Sequence, residues 1–282
     1  SLPGEYGCGD FGRGATDFID KMAACGFSWW QVLPFCVPDR FASPYSSMSP
    51  FSGNPYFIDL EELQKRGLLT AEELASAEER SPYACEFDRL AAGRLPLLFR
   101  AAERALRDAD TSAAVDTFMD TEPRIAEFCL FMARRAANGD RAWQEWTTDG
   151  YDPAVLAAWR FIQYEFFGEW AKVKAYANSK GIGVIGDIPF YVAPDSSDVW
   201  GSRGQFLLGS DGRPDLVAGV PPDYFSEDGQ LWGNPLYDWK HMRADGYSFW
   251  RDRLSFMLSM LDGIRIDHFR AVESYFAIPG DA

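Results

Sequence analysis

The sequence predicts an α/β protein with a parallel sheet. Three apolar runs have strand character, at residues 27–35, 182–192 and 260–269, and each follows a segment with helical periodicity. Strands that alternate with helices in this way are joined by crossover connections and lie parallel in one sheet. A long loop follows each of the first two strands, and such loops commonly contain functional residues.

The first part of the sheet is predicted within residues 1–58. A glycine-rich start leads into an amphipathic helix over residues 15–25, and the strand 27–35 follows it as a buried strand. Residues 36–57 then form a long loop rich in serine, proline and aromatic side chains. A loop of this length after a strand is typical of a functional loop in an α/β enzyme.

The composition changes between residues 59 and 150, where charged, alanine- and leucine-rich helical segments replace strands. Thr70 and Glu73 have the spacing of a capping box, which starts one helix. Two more helices are predicted over residues 89–109 and 123–137. The segment contains no β-rich run, so we predict a helical subdomain inserted between two parts of the sheet.

The sheet is predicted to continue in residues 151–282. Asp152 has the features of an N-cap with proline at the next position, and the helix that it starts runs to about Lys180. An apolar stripe along this helix indicates core packing, and it consists of Trp159, Ile162, Phe166, Trp170, Val173 and Ala177. The predicted order then continues with the strand 182–192, an aromatic loop over 193–239, a helix over 247–261 and the strand 260–269.

A glycine pattern in this part suggests a dinucleotide site, but its context argues against that function. Gly181, Gly183 and Gly186 match G-x-G-x-x-G, a fingerprint that requires a strand before it and a helix after it. Here a helix precedes the glycines, and a strand that contains Pro189 follows them. The sequence therefore predicts no cofactor.

Charge and composition limit the possible partners. The 282-residue chain has a formal net charge of −15, which argues against nucleic acid and anionic membrane surfaces and is compatible with a neutral substrate. Five cysteines without a C-x-x-C pair are typical of reduced thiols in a cytoplasmic protein. With His241 and His268 as its only histidines, the chain is not expected to form a histidine-rich metal site. No signal peptide or membrane span is expected either.

The most informative stretch is DGIRIDHFR at residues 262–270. In a strand, its two isoleucines face one side, and Arg265 and Asp267 face the other. The neighbouring guanidinium favours the ionised form of the carboxylate. Such a carboxylate can be the nucleophile of a glycoside-cleaving enzyme, or the two residues can form a structural ion pair at the rim of a sheet.

Four motifs in order make a more specific pattern. They are SPYSSMSPFSGNPYFIDL at residues 43–60, GDIPFYVAPDSSDVW at 186–200, PPDYFSEDGQLWGNPLYDW at 221–239 and GIRIDHFR at 263–270. Together with the opening Ser-Leu-Pro-Gly, they resemble the 4-α-glucanotransferases of glycoside hydrolase family 77 over essentially the whole chain. The resemblance implies part of a (β/α)8 TIM barrel. It also implies retaining transfer of α-1,4-glucan segments between maltooligosaccharides.

The resemblance further implies roles for individual residues. Asp267 matches the nucleophile that forms a glucosyl-enzyme intermediate, and Arg265 matches the partner that keeps it ionised. The positions that match substrate contacts are Tyr45, Ser47, Asp187, Phe225, Gln230, Trp232, Asn234 and His268. Tyr45 is the expected stacking ring on the donor side, and the loop that contains Trp232 is expected to shield the intermediate from water.

Simpler structural roles stay open for some of these residues. Asp187 could be a structural carboxylate at a sheet rim, Trp232 a core tryptophan, and Asn234 part of a turn. Retaining chemistry also needs a second carboxyl group about 5–5.5 Å from the nucleophile. The resemblance places that general acid on a later strand, outside these residues, so the 282-residue chain alone is expected to be inactive.

The sequence is compatible with two other functions. One is an α-glucan hydrolase of the amylase type, and the other is a non-catalytic glucan-binding fragment. The sequence predicts neither the preferred glucan length nor the oligomeric state.

Overall fold

The computed structural model describes residues 2–38, 43–79, 81–224 and 226–280. Its helices are α1 (Arg13–Ala24), α2 (Leu60–Lys65), α3 (Ala71–Ala75), α4 (Phe87–Ala105), α5 (Ala109–Thr121), α6 (Pro123–Ala137), α7 (Pro153–Ser179), α8 (Ser197–Gly201), α9 (Trp239–Ala244) and α10 (Ser248–Met260). Its strands are β1 (Trp29–Val32), β2 (Gly183–Ile188), β3 (Leu216–Val220), β4 (Gln230–Pro235), β5 (Gly263–Ile266) and β6 (Phe276–Pro279).

A parallel sheet in the order β1–β2–β5 forms the centre of the fold. Each of its strands follows a helix, namely α1, α7 and α10, which confirms the predicted α/β class. The strands are shorter than the predicted apolar runs. Pro34 and Pro189 contribute to this because they lack the N–H group that would extend the ladder. The carboxyl ends of the three strands meet at one edge of the sheet.

The long helix α7 provides much of the core. The predicted stripe is confirmed, since all six of its residues are buried. Asp152 caps the helix by accepting a hydrogen bond from the Ala154 N–H at 2.8 Å, as predicted. The indole of Trp170 packs edge to face on the ring of Phe35, with centroids 4.5 Å apart. Helix α7 therefore joins the sheet to the loop that follows β1.

Helices α4, α5 and α6 also pack against α7. The capping box is present: the Glu73 N–H donates to Thr70 Oγ1 at 3.2 Å, and the Thr70 N–H donates to Glu73 Oε2 at 2.9 Å. Helix α6 has the predicted bounds. Helix α5 was not predicted, because only Val115 and Met119 along it are buried and its apolar periodicity is correspondingly weak.

The prediction of a single loop over residues 193–239 was wrong. Strands β3 and β4 pair antiparallel within it, and β6 pairs with the other side of β3. The sequence concealed β4 because it contains Gly233, Asn234 and Pro235, residue types that are depleted in strands. Strand β3 also depends on a partner that lies much later in the chain.

The prediction that the first strand is a buried strand was wrong for part of its length. Within β1, Val32 is buried, whereas Trp29 and Gln31 are exposed. Among the described residues, β1 pairs on one side only, with β2. Trp29 and Gln31 alternate with Trp30 and Val32, so the two exposed side chains share one face of the strand, and that face is open to solvent.

Packing accounts for the glycine pattern before and within β2. Gly181 adopts φ +77°, a left-handed conformation that lets the chain leave α7 at low cost. A Cβ at Gly183 would lie 2.7 Å from the Trp29 ring, and a Cβ at Gly186 would lie 2.7 Å from Leu261 Cδ1. The three glycines thus serve a turn and two close contacts.

All five cysteines are free. Within the part of the chain that the structure describes, no helix is long and apolar enough to cross a bilayer. Across those same residues, no three His, Cys, Asp or Glu side chains are grouped so that they could hold a metal ion.

Candidate active site

The candidate site begins with a pair of residues on neighbouring strands. The register of β2 and β5 places Asp187 opposite Arg265, and opposite residues on adjacent parallel strands face the same side. Arg265 donates from Nε to Asp187 Oδ1 and from Nη2 to Asp187 Oδ2, both at 2.6 Å. The Asp187 side chain is 0% exposed and the Arg265 side chain is 47% exposed. The guanidinium therefore covers a fully buried carboxylate.

Tyr45 completes the surroundings of this carboxylate. Its hydroxyl donates to Asp187 Oδ2 at 2.7 Å, which attaches the loop after β1 to the end of β2. Burial, with a further contribution from the hydrogen bond to Asp187, raises the pKa of Tyr45. The phenol thus remains a donor at neutral pH, and its ring is partly exposed at the surface of the site.

Asp267 lies just after the end of β5 and faces solvent. Its side chain is 73% exposed, and Oδ2 lies 3.5 Å from Arg265 Nη2. Its Oδ1 accepts a hydrogen bond from the His268 N–H at 2.8 Å. His268 has φ +52°, so the chain turns sharply at this point. An anionic oxygen of Asp267 is therefore exposed at the carboxyl end of β5, with the guanidinium of Arg265 beside it.

An aromatic wall stands beside Asp267. The imidazole of His268 meets the Trp232 indole edge to face, with centroids 4.9 Å apart. The rings of Phe190 and Tyr191, which follow β2, have their centroids 6.3 Å and 6.2 Å from that of His268. Phe190 and Tyr191 are buried, so it is the partly exposed rings of His268 and Trp232 that can offer an aromatic face to a ring-shaped ligand.

The antiparallel sheet contributes Gln230 and Trp232 to this wall. Both are exposed residues of β4, and Trp232 Nε1 donates to Gln230 Oε1 at 3.0 Å. Trp232 is 38% exposed, so it is not a core tryptophan. Its indole face remains partly available to a ligand.

Two other predicted site residues have structural contacts. Asn234 donates from Nδ2 to the Val192 carbonyl at 2.9 Å, which joins β4 to the segment after β2. Ser47 is 5% exposed, and its backbone forms an isolated β-bridge with Pro38, so the residue is buried within the loop after β1. Phe225 lies outside the described residues.

Sequence reasoning missed some residues that shape the site. Phe190 and Tyr191 belong to the second motif, but nothing in their spacing showed that they would contact His268. The sequence motif paired Arg265 with Asp267 alone, whereas the closer partner of Arg265 is Asp187. The cross-strand register could have been found only by aligning the strands against each other.

A buried carboxylate held by arginine, an exposed carboxylate beside it and a wall of rings at the strand edge define a site suited to a carbohydrate. The family model of the 4-alpha-glucanotransferases matches this chain over residues 1–282, and the chain belongs to that family.

Curated relatives with that name are similar over nearly all of this chain. The protein from Thermus thermophilus is 40% identical over 296 residues, which cover 99% of this chain and 58% of the relative. For Streptococcus pneumoniae the identity is 39% over 294 residues, with coverage of 99% and 58%. For the chloroplastic/amyloplastic protein of Solanum tuberosum it is 38% over 303 residues, with coverage of 100% and 52%. The chain thus spans a little more than half the length of these relatives.

Solved structures agree with the fold. Amylomaltase from Streptococcus agalactiae, in complex with acarbose, superposes with a TM-score of 0.96 at 35% identity, covering 100% of this chain and 60% of that one. Amylomaltase from Corynebacterium glutamicum gives a TM-score of 0.82 at 21% identity, covering 99% of this chain and 41% of that one. The second comparison supports the fold alone.

Proposed function

We propose that the chain forms the nucleophile-bearing part of a 4-α-glucanotransferase, which moves an α-1,4-glucan segment to the 4-hydroxyl of an acceptor sugar with retention. The observation that carries this proposal is the cluster at the ends of β2 and β5, where Arg265 contacts both Asp187 and Asp267. Membership of the family and the acarbose complex of a 35% identical amylomaltase support α-glucans as the substrate.

In this proposal the Asp267 carboxylate attacks the anomeric carbon of the donor sugar. A new C–O bond forms to the carboxylate as the glycosidic bond breaks, and the leaving sugar oxygen takes up a proton. Arg265 holds positive charge beside the nucleophile. We propose that a carboxylic acid in the part of the relatives' length that this chain does not cover supplies the proton, and that the complete enzyme closes a (β/α)8 barrel.

Asp187 has the role of fixing the donor side in the same proposal. Its two oxygens are fully engaged by Arg265 and Tyr45, and this makes the strand edge rigid before a glucan arrives. Such preorganisation lowers the cost of placing the anomeric carbon next to the nucleophile. The exposed ring of Tyr45 is then available to stack on the donor sugar.

The aromatic wall gives transfer its advantage over hydrolysis. The covalent intermediate reacts with whichever nucleophile reaches it, so a site that excludes water and admits a sugar hydroxyl favours transfer. His268 follows Asp267 in the chain and its ring lies against that of Trp232, which supports assigning the exclusion of water to these two rings.

We propose residues 59–150 as an inserted helical subdomain that supports the barrel parts 1–58 and 151–282.

The test is product analysis with maltotriose, in a polypeptide of the relatives' length that contains this sequence. Glucose together with longer oligomers indicates transfer, whereas maltose and glucose alone indicate hydrolysis and would contradict the proposal.

Asp267→Asn should lower turnover by several orders of magnitude and leave binding of acarbose measurable by calorimetry. Equal loss of binding and turnover would reduce Asp267 to a structural residue. The 282-residue chain alone should release no glucose.

A further inference from the structure

Arg253, on α10, lies in the core below the candidate site. The residue is 1% exposed, so its charge is almost completely removed from solvent. Its Nη1 donates to the Phe190 carbonyl at 3.2 Å and to the Tyr237 hydroxyl at 2.9 Å, and its Nη2 donates to the Pro189 carbonyl. The guanidinium carbon lies 4.8 Å from the centroid of the Trp250 ring.

The surroundings of Arg253 compensate for burying its charge. Asp198 is also buried and is close enough for the two charges to act on each other. Burial raises the pKa of Asp198 to about 6, whereas the charge of Arg253 acts in the opposite direction and favours the ionised carboxylate. The Tyr237 hydroxyl additionally donates to the Phe190 carbonyl at 2.5 Å. These partners account for the stability of an arginine at this depth.

The two carbonyls that Arg253 holds belong to the turn that leaves β2. Pro189 and Phe190 come two and three residues after Asp187, and the ring of Phe190 lies against His268. Pro189 has no N–H, so the turn has one backbone donor fewer with which to fix itself. The guanidinium of Arg253 instead restrains the turn through the carbonyls of Pro189 and Phe190. The same turn separates Asp187 from the aromatic wall.

We infer that Arg253 is a positioning residue, which sets the β2 turn so that Asp187 and the wall of Phe190 and His268 keep a fixed separation. This inference rests on the proposed transferase function and adds a residue that does not touch the substrate. Loss of the fork should let the turn shift, and a displacement on the order of 1 Å at a reacting site can cost roughly 10²-fold in rate.

The chain offers a matched control in Arg94, on α4. It is likewise 1% exposed, and it donates to two backbone carbonyls, those of Tyr6 (from Nη1, 3.2 Å) and Ile58 (from Nη2). In the described part of the chain, Nε has no hydrogen-bond partner in either arginine. Arg94 therefore matches Arg253 in burial and in holding two backbone carbonyls, with Cys8 Sγ at 3.9 Å in place of the Tyr237 hydroxyl, but neither carbonyl belongs to the turn after β2.

The experiment compares Arg253→Lys with Arg94→Lys in a polypeptide of the relatives' length that contains this sequence. It uses maltotriose kinetics and urea unfolding. Both variants keep the charge and lose the fork, so both should lower the free energy of unfolding to a similar extent. Only Arg253→Lys should lower kcat, by roughly 10- to 100-fold, with a smaller change in KM. Equal kcat values for the two variants, under conditions where both are folded, would overturn the inference.

A milder variant keeps the test decisive if Arg253→Lys does not fold. Tyr237→Phe removes one partner of Arg253 and one donor to the Phe190 carbonyl, and it leaves the ring packing in place. It should lower kcat in the same direction by a smaller factor, and an unchanged kcat would count against the inference. Asp267→Asn separates the two proposals: if that variant stays fully active the proposed function fails, whatever Arg253→Lys does.

Discussion

Arg265 compensates two carboxylates that differ in their exposure to solvent. Asp187 is completely buried and accepts hydrogen bonds from both Nε and Nη2 of Arg265. Asp267 is largely exposed, and its Oδ2 lies 3.5 Å from Arg265 Nη2. A bidentate contact fixes orientation as well as charge. The buried carboxylate thus holds the arginine in place for the exposed one, which is the oxygen that we propose to react.

Replacement of Arg265 should therefore affect stability as well as chemistry. Arg265→Met leaves the Asp187 charge buried with the Tyr45 hydroxyl as its remaining side-chain partner. We expect the free energy of unfolding to fall by about 2 kcal/mol, less than the ~3–5 kcal/mol for a fully buried pair because Arg265 is half exposed. Urea unfolding followed by tryptophan fluorescence measures it. Arg160→Met, which breaks a surface ion pair with Asp116, is the control, and an equal loss there would contradict this account.

Trp232 should control the fate of the intermediate. Trp232→Ala removes the ring that lies against His268, so water should reach Asp267 more easily and the ratio of hydrolysis to transfer should rise several-fold. Chromatography of maltotriose products measures that ratio. Leu231 is the neighbouring exposed residue on β4 and faces the opposite side of the strand, so Leu231→Ala is the matched control. If the two variants give the same ratio, the wall does not exclude water.

Among the secondary structure elements, α7 has the largest structural role. Its apolar stripe enters the core, and its polar side chains hold the loops that approach the site. Gln163 accepts from the Gly53 N–H at 2.7 Å and donates to the Gly53 carbonyl at 2.9 Å. Glu169 accepts from the Asp59 N–H at 2.9 Å through Oε2. One helix thereby fixes both ends of the segment 53–59, which continues the loop that contains Tyr45.

Glu169 makes the stability of this arrangement depend on pH. Burial raises the pKa of Glu169 to about 8, whereas a carboxyl in an unfolded chain titrates near about 4.3. Between these values the folded state holds a proton that the unfolded state has released, so stability falls as pH rises. From pH 6.5 to 8 we expect the free energy of unfolding to fall by up to about 1.4 kcal/mol per pH unit. Urea titrations across this range measure the slope.

Glu169→Gln should abolish that slope, because the amide oxygen can still accept from the Asp59 N–H but cannot ionise. The buried acids Asp10 and Asp198, whose pKa values burial raises to about 6, titrate mainly below this window. Glu103→Gln on the exposed face of α4 is the control and should keep the wild-type slope. An unchanged slope in Glu169→Gln would mean that another group is responsible.

The predictability of the fold from the sequence depended on how local the signals are. Helices with strong caps or stripes, such as α6 and α7, were placed within a residue or two because the pattern lies in the element itself. Strands β3 and β4 were missed because their pairing is non-local and β4 contains Gly, Asn and Pro. The site followed the same rule: motifs identified Asp187 and Asp267, but the bond between Arg265 and Asp187 required the register of two strands.

For the molecule as a whole, the chain provides a parallel sheet with apolar side chains on both flanks. Phe27, Trp29 and Leu33 are exposed near β1, and Ile266 and Phe269 are exposed near β5. The matched segment is 58% of the length of two of the relatives. At the carboxyl ends of the parallel strands this chain contributes a buried carboxylate, its arginine, an exposed carboxylate and a wall of rings.

The most direct test is covalent labelling of the nucleophile. A fluorinated α-glucosyl fluoride has a leaving group that needs no acid and forms a slowly hydrolysed glycosyl ester with a retaining enzyme. In the relatives-length polypeptide, peptide mass mapping should locate one added fluoroglucosyl group on Asp267, and Asp267→Asn should remain unlabelled. A label on any other carboxylate, or turnover with no label on Asp267, would contradict its assignment as the nucleophile.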